Sequence, residues 1–190
     1  MKKIAIFASG SGSNFQAIVD AIQGGQLAAE VSLLVCDRPG AFVLERAERY
    51  SIPTISVAPK NYPSKLEYEL DILKELRARE IDFIVLAGYM RLIGTTLLNE
   101  FEGRIVNIHP SLLPAFPGKD AIGQAITAKV QVSGVTIHFV DEGMDTGPII
   151  EQREIPLTED ETKETLQKKI HHIEHQLYPE TLQRLFTTLK

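Results

Sequence analysis

The sequence predicts an α/β fold: a mostly parallel, doubly wound sheet of about seven strands flanked by helices, with an antiparallel C-terminal hairpin and a long C-terminal helix. Strand-length apolar runs alternate with segments of helical periodicity as far as Ile108. Two further strand-length runs then follow each other across a short glycine-containing connection, and the chain ends in a long segment of helical spacing. The alternation indicates parallel strands that helices cover on both faces, and the later segments indicate a change from that pattern.

The apolar runs in the first part of the chain have the length and composition of buried strands. They are Lys3–Ala8, Val31–Cys36, Thr54–Val57, Phe83–Ala87 and Ile105–Ile108. The segments between the first three runs have helical spacing, which predicts helices from Asn14 to about Gly24 and over Ala41–Tyr50.

A third helix is predicted after Ser64, before the fourth strand. Ser64 and Glu67 form the spacing of a capping box, which marks a helix start. Leucines recur at helical spacing in this segment, so we expect them to form its buried stripe. They are Leu66, Leu70, Leu73 and Leu76.

After Gly118 the pattern changes. A short helix is predicted at Ala121–Ala128, and strands follow at Gly134–Val140 and Pro148–Ile155. The connection Asp141–Gly147 is short and contains glycine, so the two strands are predicted to be antiparallel neighbours.

The last predicted element is a long helix that begins at about Thr162. Pro179 has no N–H to donate, so we expect it to kink or restart this helix. The predicted buried stripe comprises Leu166, Ile170, Ile173 and Leu177.

Length and composition indicate one globular domain. The 190 residues contain no repeat, low-complexity tract or linker, and the hydrophobic share of 44% is enough for one core. The net charge of −5 argues against a general nucleic-acid binder, which would need a basic field. The single cysteine, Cys36, excludes an internal disulfide, and no apolar run has the length of a signal-peptide core or a membrane span. We therefore expect a cytoplasmic protein.

A glycine loop, Ser9–Asn14, links the first strand to the first helix. Glycine allows a sharp turn and a close approach to a ligand, and the free N–H groups of a helix start suit a phosphate. A dinucleotide site would need a small residue where Phe15 stands, and Asp37 is far along the chain for a ribose-binding acid, so a single phosphate is favoured. The competing interpretation is a tight turn in which Ser13 or Asn14 caps the helix.

The stretch Asn107–Pro114 presents an amide and an imidazole at the end of the fifth strand. Side chains alternate along a strand, so Asn107 and His109 are expected on one face, and Pro110 stops the ladder. Such a pair can hold a developing oxyanion while one member moves a proton. The alternative is an asparagine and a histidine that only satisfy each other's hydrogen bonds.

The connection Asp141–Gly147 carries three acids. One interpretation is a solvated turn, and another is a calcium site, although the ligand spacing of an EF-hand loop is missing. A third places Asp145 against His109, where a carboxylate would favour the charged imidazole and fix its orientation.

The last helix contains the pattern H-x-x-E-H at His171–His175, which inverted zinc peptidases share. His171 and His175 would lie on one helix face, so a metallohydrolase is a second hypothesis. A third ligand should follow farther along the chain, and Glu180 is the only acid there. We therefore favour the polar face of an amphipathic helix and expect no metal.

Four motifs together resemble the folate-dependent formyltransferases, and among them the phosphoribosylglycinamide formyltransferases. The match runs nearly end to end and rests on Gly10–Asn14, Leu86–Arg91, Asn107–Pro114 and Gly143–Pro148. The last two motifs occur across folate formyltransferases, and the first distinguishes the phosphoribosylglycinamide enzymes.

The resemblance implies one formyltransferase domain over residues 1–190 with a formyltransferase-like fold. Residues 1–100 would form a Rossmann-like phosphate-binding half, and residues 101–190 a catalytic and folate-binding half. The implied reaction moves a formyl group from the co-substrate 10-formyltetrahydrofolate to the amine of 5'-phosphoribosylglycinamide, in purine biosynthesis. The implied partners are small molecules, without nucleic acid, membrane or metal, and the expected state is a monomer or homodimer.

The resemblance also implies a role for particular residues. The catalytic set would be Asn107, His109 and Asp145. Phosphoribosylglycinamide would contact Gly12, Ser13 and Asn14 with its phosphate and Glu174 with its glycinamide end. The co-substrate would contact Lys65, Met90, Arg91, Leu92, Ile93, Asn107, Val140 and Asp141.

Some positions depart from the family pattern. Lys65 stands where some members have arginine, so a carboxylate of the folate tail would meet a point charge and not a bidentate fork. Lys119–Ala121 replaces a histidine-containing loop of some members. The Leu113–Pro114 peptide is expected to be cis, as in the family.

Related functions make different demands on the chain. Methionyl-tRNA formyltransferase carries an additional C-terminal domain, and formyltetrahydrofolate hydrolase carries an N-terminal regulatory domain. The sequence ends too early for the additional C-terminal domain, and its first strand begins at Lys3, which leaves no room for the N-terminal regulatory domain. We therefore expect neither of these two enzymes. A binding module without catalysis gives no reason for Asn107, His109 and Asp145 to occur together.

Overall fold

A computed structural model describes residues 1–189 and gives them seven strands and six α-helices. The strands are β1 (Lys2–Ala8), β2 (Ala29–Cys36), β3 (Thr54–Ser56), β4 (Phe83–Leu86), β5 (Ile105–His109), β6 (Val132–Phe139) and β7 (Ile149–Pro156). The helices are α1 (Ser13–Gln23), α2 (Phe42–Arg49), α3 (Lys65–Ala78), α4 (Thr95–Glu100), α5 (Ala121–Thr127) and α6 (Lys163–Thr188). A short 3₁₀ turn, Pro59–Asn61, precedes α3.

All seven strands form one sheet in the order β3-β2-β1-β4-β5-β6-β7. Strands β1 to β5 pair in parallel, whereas β5 with β6 and β6 with β7 pair antiparallel. The predicted mostly parallel sheet with an antiparallel C-terminal hairpin is therefore confirmed. The strand order reverses between β1 and β4, where open α/β sheets form a crevice at the carboxyl ends of their strands.

The core lies on both faces of the sheet. Ile4 and Ile6 of β1 point into one apolar cluster, which α1 and α6 cover, and Ala5 and Phe7 point into the other, which α3 covers. This alternation follows from the two-residue period of a strand. Within residues 1–189, no helix combines the length and the apolar composition needed to cross a bilayer.

The predicted buried stripe of α3 is half wrong. Leu66 and Leu70 are 56% and 48% exposed, whereas Leu73 and Leu76 are buried as expected, together with Tyr68 and Ile72. Leu66 and Leu70 have helical spacing, and so do Tyr68 and Ile72. The orientation of α3 on the sheet decides that the second pair is buried. Ser64 does cap the helix by accepting from the backbone N–H of Glu67, while its hydroxyl contacts the carboxylate of Glu67.

The last helix continues through Pro179, so the predicted restart does not occur. The proline removes one backbone hydrogen bond, but Tyr178, Leu182 and Phe186 around and after it are buried in the core and hold the helix in place. Its start at Thr162 is confirmed by a capping box with Thr165. The predicted stripe is buried, except that Ile173 is only partly buried.

Helix α4 was absent from the predicted elements. Its six residues are too few to show a helical period. The other boundaries differ from the predicted ones by one to a few residues, as helix and strand ends usually do.

Candidate active site

The candidate site lies at the carboxyl ends of β1, β4 and β5, beside the connection between β6 and β7. Parallel strands bring the loops that follow Ala8, Leu86 and His109 to one edge of the sheet. The buried hydroxyl of Tyr178 donates to the carbonyl of Leu86 at 2.8 Å and lies 3.1 Å from that of Val106, which attaches α6 beneath the same edge.

Asp145 approaches His109, as the sequence predicted. Its Oδ2 lies 3.5 Å from Nδ1 of the buried imidazole and accepts from the backbone N–H of Gly118 at 2.8 Å. Asp145 has a left-handed backbone with φ +56°, which a short polar residue tolerates better than most. The interpretation of this connection as only a solvated turn is therefore wrong.

The other ring nitrogen of His109, Nε2, forms a hydrogen bond within the protein. Nε2 lies 2.8 Å from the carbonyl oxygen of Phe116. A carbonyl can only accept, so Nε2 carries a proton and donates it. Nδ1 is consequently the ring nitrogen that faces Asp145 and remains for a ligand. The Leu113–Pro114 peptide between these residues is cis, as expected.

His138 belongs to this cluster, and sequence reasoning missed it. It lies on β6 directly opposite Asn107 of β5. Its Nδ1 donates to the carbonyl of Phe139 at 2.8 Å, and burial lowers the pKa of the ring, which is therefore neutral. Its Nε2 then has a lone pair, and it accepts from the amide Nδ2 of Asn107 at 3.3 Å.

This tautomer decides how His138 relates to Asp145. Nε2 of His138 lies 3.7 Å from Oδ1 of Asp145, within the range of an ion pair. Both atoms are acceptors when the ring is neutral, so this approach is not an ion pair. The strand Gly134–Val140 was predicted, but its register against β5 was not, and the register places His138 opposite Asn107.

The glycine loop leaves a helix start open. Gly12 is the N-cap of α1 with φ +76°, and no side chain caps the helix. A Cβ at Gly12 would lie 2.5 Å from Cγ2 of Val43, so only glycine fits. The interpretation in which Ser13 or Asn14 caps the helix is wrong, and the first-turn N–H groups can hold an anion.

Asp37 does not act as a ribose-binding acid here. Its carboxylate is buried and accepts from Ser9 and Arg91. The dinucleotide interpretation therefore lacks the acid that would bind the ribose.

Asn14 and Glu174 meet beside the open helix start. The amide Nδ2 of Asn14 donates to the buried carboxyl of Glu174 at 3.1 Å. Oδ1 of Asn14 is buried and has no hydrogen-bond partner among residues 1–189, so a ligand hydrogen would satisfy it. The four predicted substrate residues, Gly12, Ser13, Asn14 and Glu174, thus lie together.

Glutamine at position 174 should change how stability depends on pH. Burial raises the pKa of Glu174 from 4.5 to about 7, so the proton is bound more tightly in the folded state, and its stabilisation is lost as the pH rises through that interval. Between pH 5 and pH 8 the free energy of unfolding of Glu174→Gln should rise relative to wild type by about 2 to 3 kcal/mol. Urea unfolding of both proteins at each pH measures this difference. The exposed Glu180→Gln is the control, and an unchanged difference would contradict the burial argument.

The side chains of the H-x-x-E-H pattern have different partners in the structure. The rings of His171 and His175 stack with centroids 6.0 Å apart, but Glu174 points to Asn14. Residues 1–189 contain no group of three or more His, Cys, Asp or Glu side chains placed to hold a metal ion.

The segment predicted to contact the co-substrate runs along the crevice. Met90 and Leu92 are exposed, whereas Ile93 is buried in the apolar cluster against which Val140 packs. Nε of Arg91 donates to Asp37 at 3.0 Å, while about half of the side chain remains exposed, so its backbone and the other guanidinium nitrogens are available to a ligand.

Lys65 borders this segment, and Asp141 lies in the connection between β6 and β7. A Cβ at Gly94 would lie 3.1 Å from Cε of Lys65, so the lysine stem lies against the end of the segment. Oδ1 of Asp141 accepts from the hydroxyl of Thr146 at 2.6 Å, which lowers the pKa of the carboxyl, and from the N–H of Gly143 at 3.0 Å. These bonds order the connection that carries Asp145.

Comparisons with known proteins show what the chain is similar to. The family model for formyl transferase matches residues 2–182. Over 185 residues the chain is 55% identical to phosphoribosylglycinamide formyltransferase of Bacillus subtilis, covering 97% of this chain and 95% of the relative. It is 41% identical to the trifunctional purine biosynthetic protein adenosine-3 of Drosophila pseudoobscura pseudoobscura, covering 95% of this chain but 13% of that longer protein. The crystal structure of phosphoribosylglycinamide formyltransferase from Bacillus halodurans superimposes with a TM-score of 0.96 at 58% identity, covering 100% of this chain and 97% of that one.

Proposed function

The chain belongs to the formyl transferase family, and from this premise we propose that it transfers a formyl group from 10-formyltetrahydrofolate to the amine of 5'-phosphoribosylglycinamide. The product is formylglycinamide ribonucleotide, an intermediate of purine biosynthesis. The observation that carries the proposal is the approach of Asp145 to Nδ1 of His109 at 3.5 Å, at the sheet edge that also holds the open start of α1.

The phosphate of the substrate binds at the start of α1. The N–H groups that follow Gly12 and the positive end of the helix dipole favour a dianion. Asn14 and Glu174 contact the ribosyl-glycinamide part, which satisfies the unpaired Oδ1 of Asn14. Residues 1–100 supply this phosphate site, and residues 101–190 supply the catalytic side chains.

The folate co-substrate binds along the segment Met90–Ile93. Its pterin ring covers the exposed apolar side chains there and contacts backbone groups, with Val140 and Asp141 on the other side of the crevice. Lys65 pairs with a carboxylate of the glutamate tail, since it borders the end of the segment. When bound, the co-substrate supplies the formyl group.

Two donors hold the oxyanion that forms when the glycinamide amine attacks the formyl carbon. His138 takes one N–H of the Asn107 amide, which leaves the second N–H for the oxyanion. Nδ1 of His109 donates the other hydrogen bond, because the N–H of Nε2 is already donated to the carbonyl of Phe116. Donors placed before the reaction stabilise the developing charge without reorganisation.

A proton must move from the attacking amine to the departing folate nitrogen. Asp145 stands beside this path, with Oδ2 held by Gly118 and facing His109. No group among residues 1–189 donates a hydrogen bond to its Oδ1, which can therefore order a water that carries the proton. The carboxylate also faces Nδ1 of His109 at 3.5 Å and so fixes the orientation of the ring.

Phenylalanine at position 138 should weaken catalysis through Asn107. The ring remains but the acceptor for the Asn107 amide is lost, so we expect kcat to fall about tenfold while both KM values change little. Steady-state kinetics of His138→Phe, Asn107→Ala and the double variant measure the coupling. If His138 acts by orienting Asn107, the double variant should lose little more kcat than Asn107→Ala alone. Fully multiplicative losses would contradict this role.

A product assay tests the function. The purified protein is incubated with 10-formyltetrahydrofolate, with and without 5'-phosphoribosylglycinamide, and both products are separated by chromatography. Formylglycinamide ribonucleotide that appears in step with tetrahydrofolate supports the proposal. Release of formate at the same rate without the acceptor would indicate a hydrolase, and no turnover with intact binding would indicate a binding module.

The setting of the enzyme is also part of the proposal. We expect it to act in the cytoplasm on small molecules, without nucleic acid, membrane or metal, as a monomer or homodimer. Sedimentation at several concentrations measures the oligomeric state, and activity after treatment with a chelator tests the independence from metal.

A further inference from the structure

A buried carboxylate joins three loops of the crevice. Asp37 follows β2 and is only 5% exposed. Its Oδ1 accepts from the hydroxyl of Ser9 at 2.5 Å, and its Oδ2 accepts from Nε of Arg91 at 3.0 Å. Ser9 follows β1 and Arg91 follows β4, so one charge connects the ends of β1, β2 and β4. A buried charge requires such partners. Removing one partner leaves the desolvation cost of the charge uncompensated.

The hydroxyl of Ser9 transmits this connection to the backbone. Its proton is directed to Asp37, so a lone pair remains for the N–H of Met90, which donates to it at 2.9 Å. The backbone N–H of Ser9 donates to the carbonyl of Gly88 at 3.0 Å. The chain on both sides of Tyr89 is therefore attached to the end of β1.

We propose that Asp37 is a positioning residue for the folate co-substrate: through Ser9 and Arg91 it holds the backbone of Met90–Ile93 in the conformation that binds the pterin ring. The inference rests on the proposed function, and Asp37 itself touches no substrate. Arg91 serves as a second attachment, because its guanidinium is turned to Asp37.

The geometry separates two effects of substitution. In Asp37→Asn the side-chain oxygen can still accept from Ser9, but the amide nitrogen meets Nε of Arg91, and two donors face each other. In Ser9→Ala the ion pair of Asp37 and Arg91 remains, but the N–H of Met90 loses its acceptor. Each variant loosens the same segment by a different route.

Steady-state kinetics and direct binding test the inference. Both variants should raise the KM for 10-formyltetrahydrofolate about tenfold and leave kcat and the KM for 5'-phosphoribosylglycinamide within about twofold, since one charge-assisted contact near the folate is lost. Calorimetric titration with tetrahydrofolate should show the same loss of affinity. The matched control is Glu100→Gln, which removes the carboxylate that pairs with Arg77 at 2.8 Å on the surface, and it should change neither KM.

The outcomes separate this inference from the proposed function. A wild-type protein that forms no formylated product refutes the function, whereas normal wild-type turnover with an unchanged folate KM in both variants overturns the inference alone. An equal rise of both KM values also overturns it, because a merely structural role would affect both substrates. Should Asp37→Asn not fold, Ser9→Ala decides, since its buried ion pair is intact.

Discussion

Replacing His109 with alanine should lower kcat for formyl transfer by about 100- to 1,000-fold, the usual cost of removing one donor to an oxyanion. Nδ1 of this ring is the only nitrogen left for the substrate, because Nε2 donates to the carbonyl of Phe116 at 2.8 Å. The KM values should change much less, since the donor acts mainly on the charge that develops in the transition state.

Rapid-quench measurement of product formation isolates the chemical step of His109→Ala from product release. The matched control is His172→Ala, at an exposed position of α6, which should leave kcat unchanged. Circular dichroism establishes that both variants are folded. Near-normal turnover of His109→Ala would remove the assigned role, and the other oxyanion donor, Asn107, would then have to act alone.

Asparagine at position 145 should reduce kcat by a comparable factor, on the order of 100-fold or more. The oxygen of the amide can still accept from Gly118, so the local backbone is retained. This oxygen would also stay opposite Nδ1 of His109, at the position now 3.5 Å from the ring, but without the negative charge of the carboxylate. The amide nitrogen would take the place of Oδ1, which lies 3.7 Å from Nε2 of His138. The proton path would lose its acceptor, because an amide nitrogen donates hydrogen bonds and does not accept them.

Turnover of Asp145→Asn, measured with saturating substrates, checks this expectation. Glu142→Gln is the matched control, because Glu142 is an exposed acid of the same connection. A variant with normal kcat and raised KM would show that Asp145 binds a substrate and takes no part in the chemistry. The combination with His109→Ala should lose little more than either change alone, as expected for residues that act as a unit.

The fold class was predictable because its signals are local. Apolar runs of strand length mark buried parallel strands, and the approximate limits of Val31–Cys36 or Ile105–Ile108 agree with β2 and β5. The side of α3 that is buried was not predictable in the same way. Leu66 and Leu70 fit a helical stripe as well as Tyr68 and Ile72 do, and only contact with the sheet distinguishes them.

The candidate site was predictable in part. The motifs placed Asn107, His109 and Gly12 at strand ends, and the rule that ligands bind at those ends brought them to one edge. The approach of Asp145 to His109 depends on a hairpin closing onto β5, and His138 enters the site only through the register of β6. The network of Ser9, Asp37 and Arg91 joins residues far apart in the chain and has no local pattern.

The order of apolar and polar residues determined most of the strands and helices, and which loops carried a glycine turn, an amide and an imidazole. Folding in three dimensions decided which nitrogen of His109 is free, which residue orients the Asn107 amide and which face of α3 is buried. The physical reason is that periodicity acts between residues a few positions apart, whereas these pairings depend on strand register and on donors and acceptors that meet only once the sheet has closed.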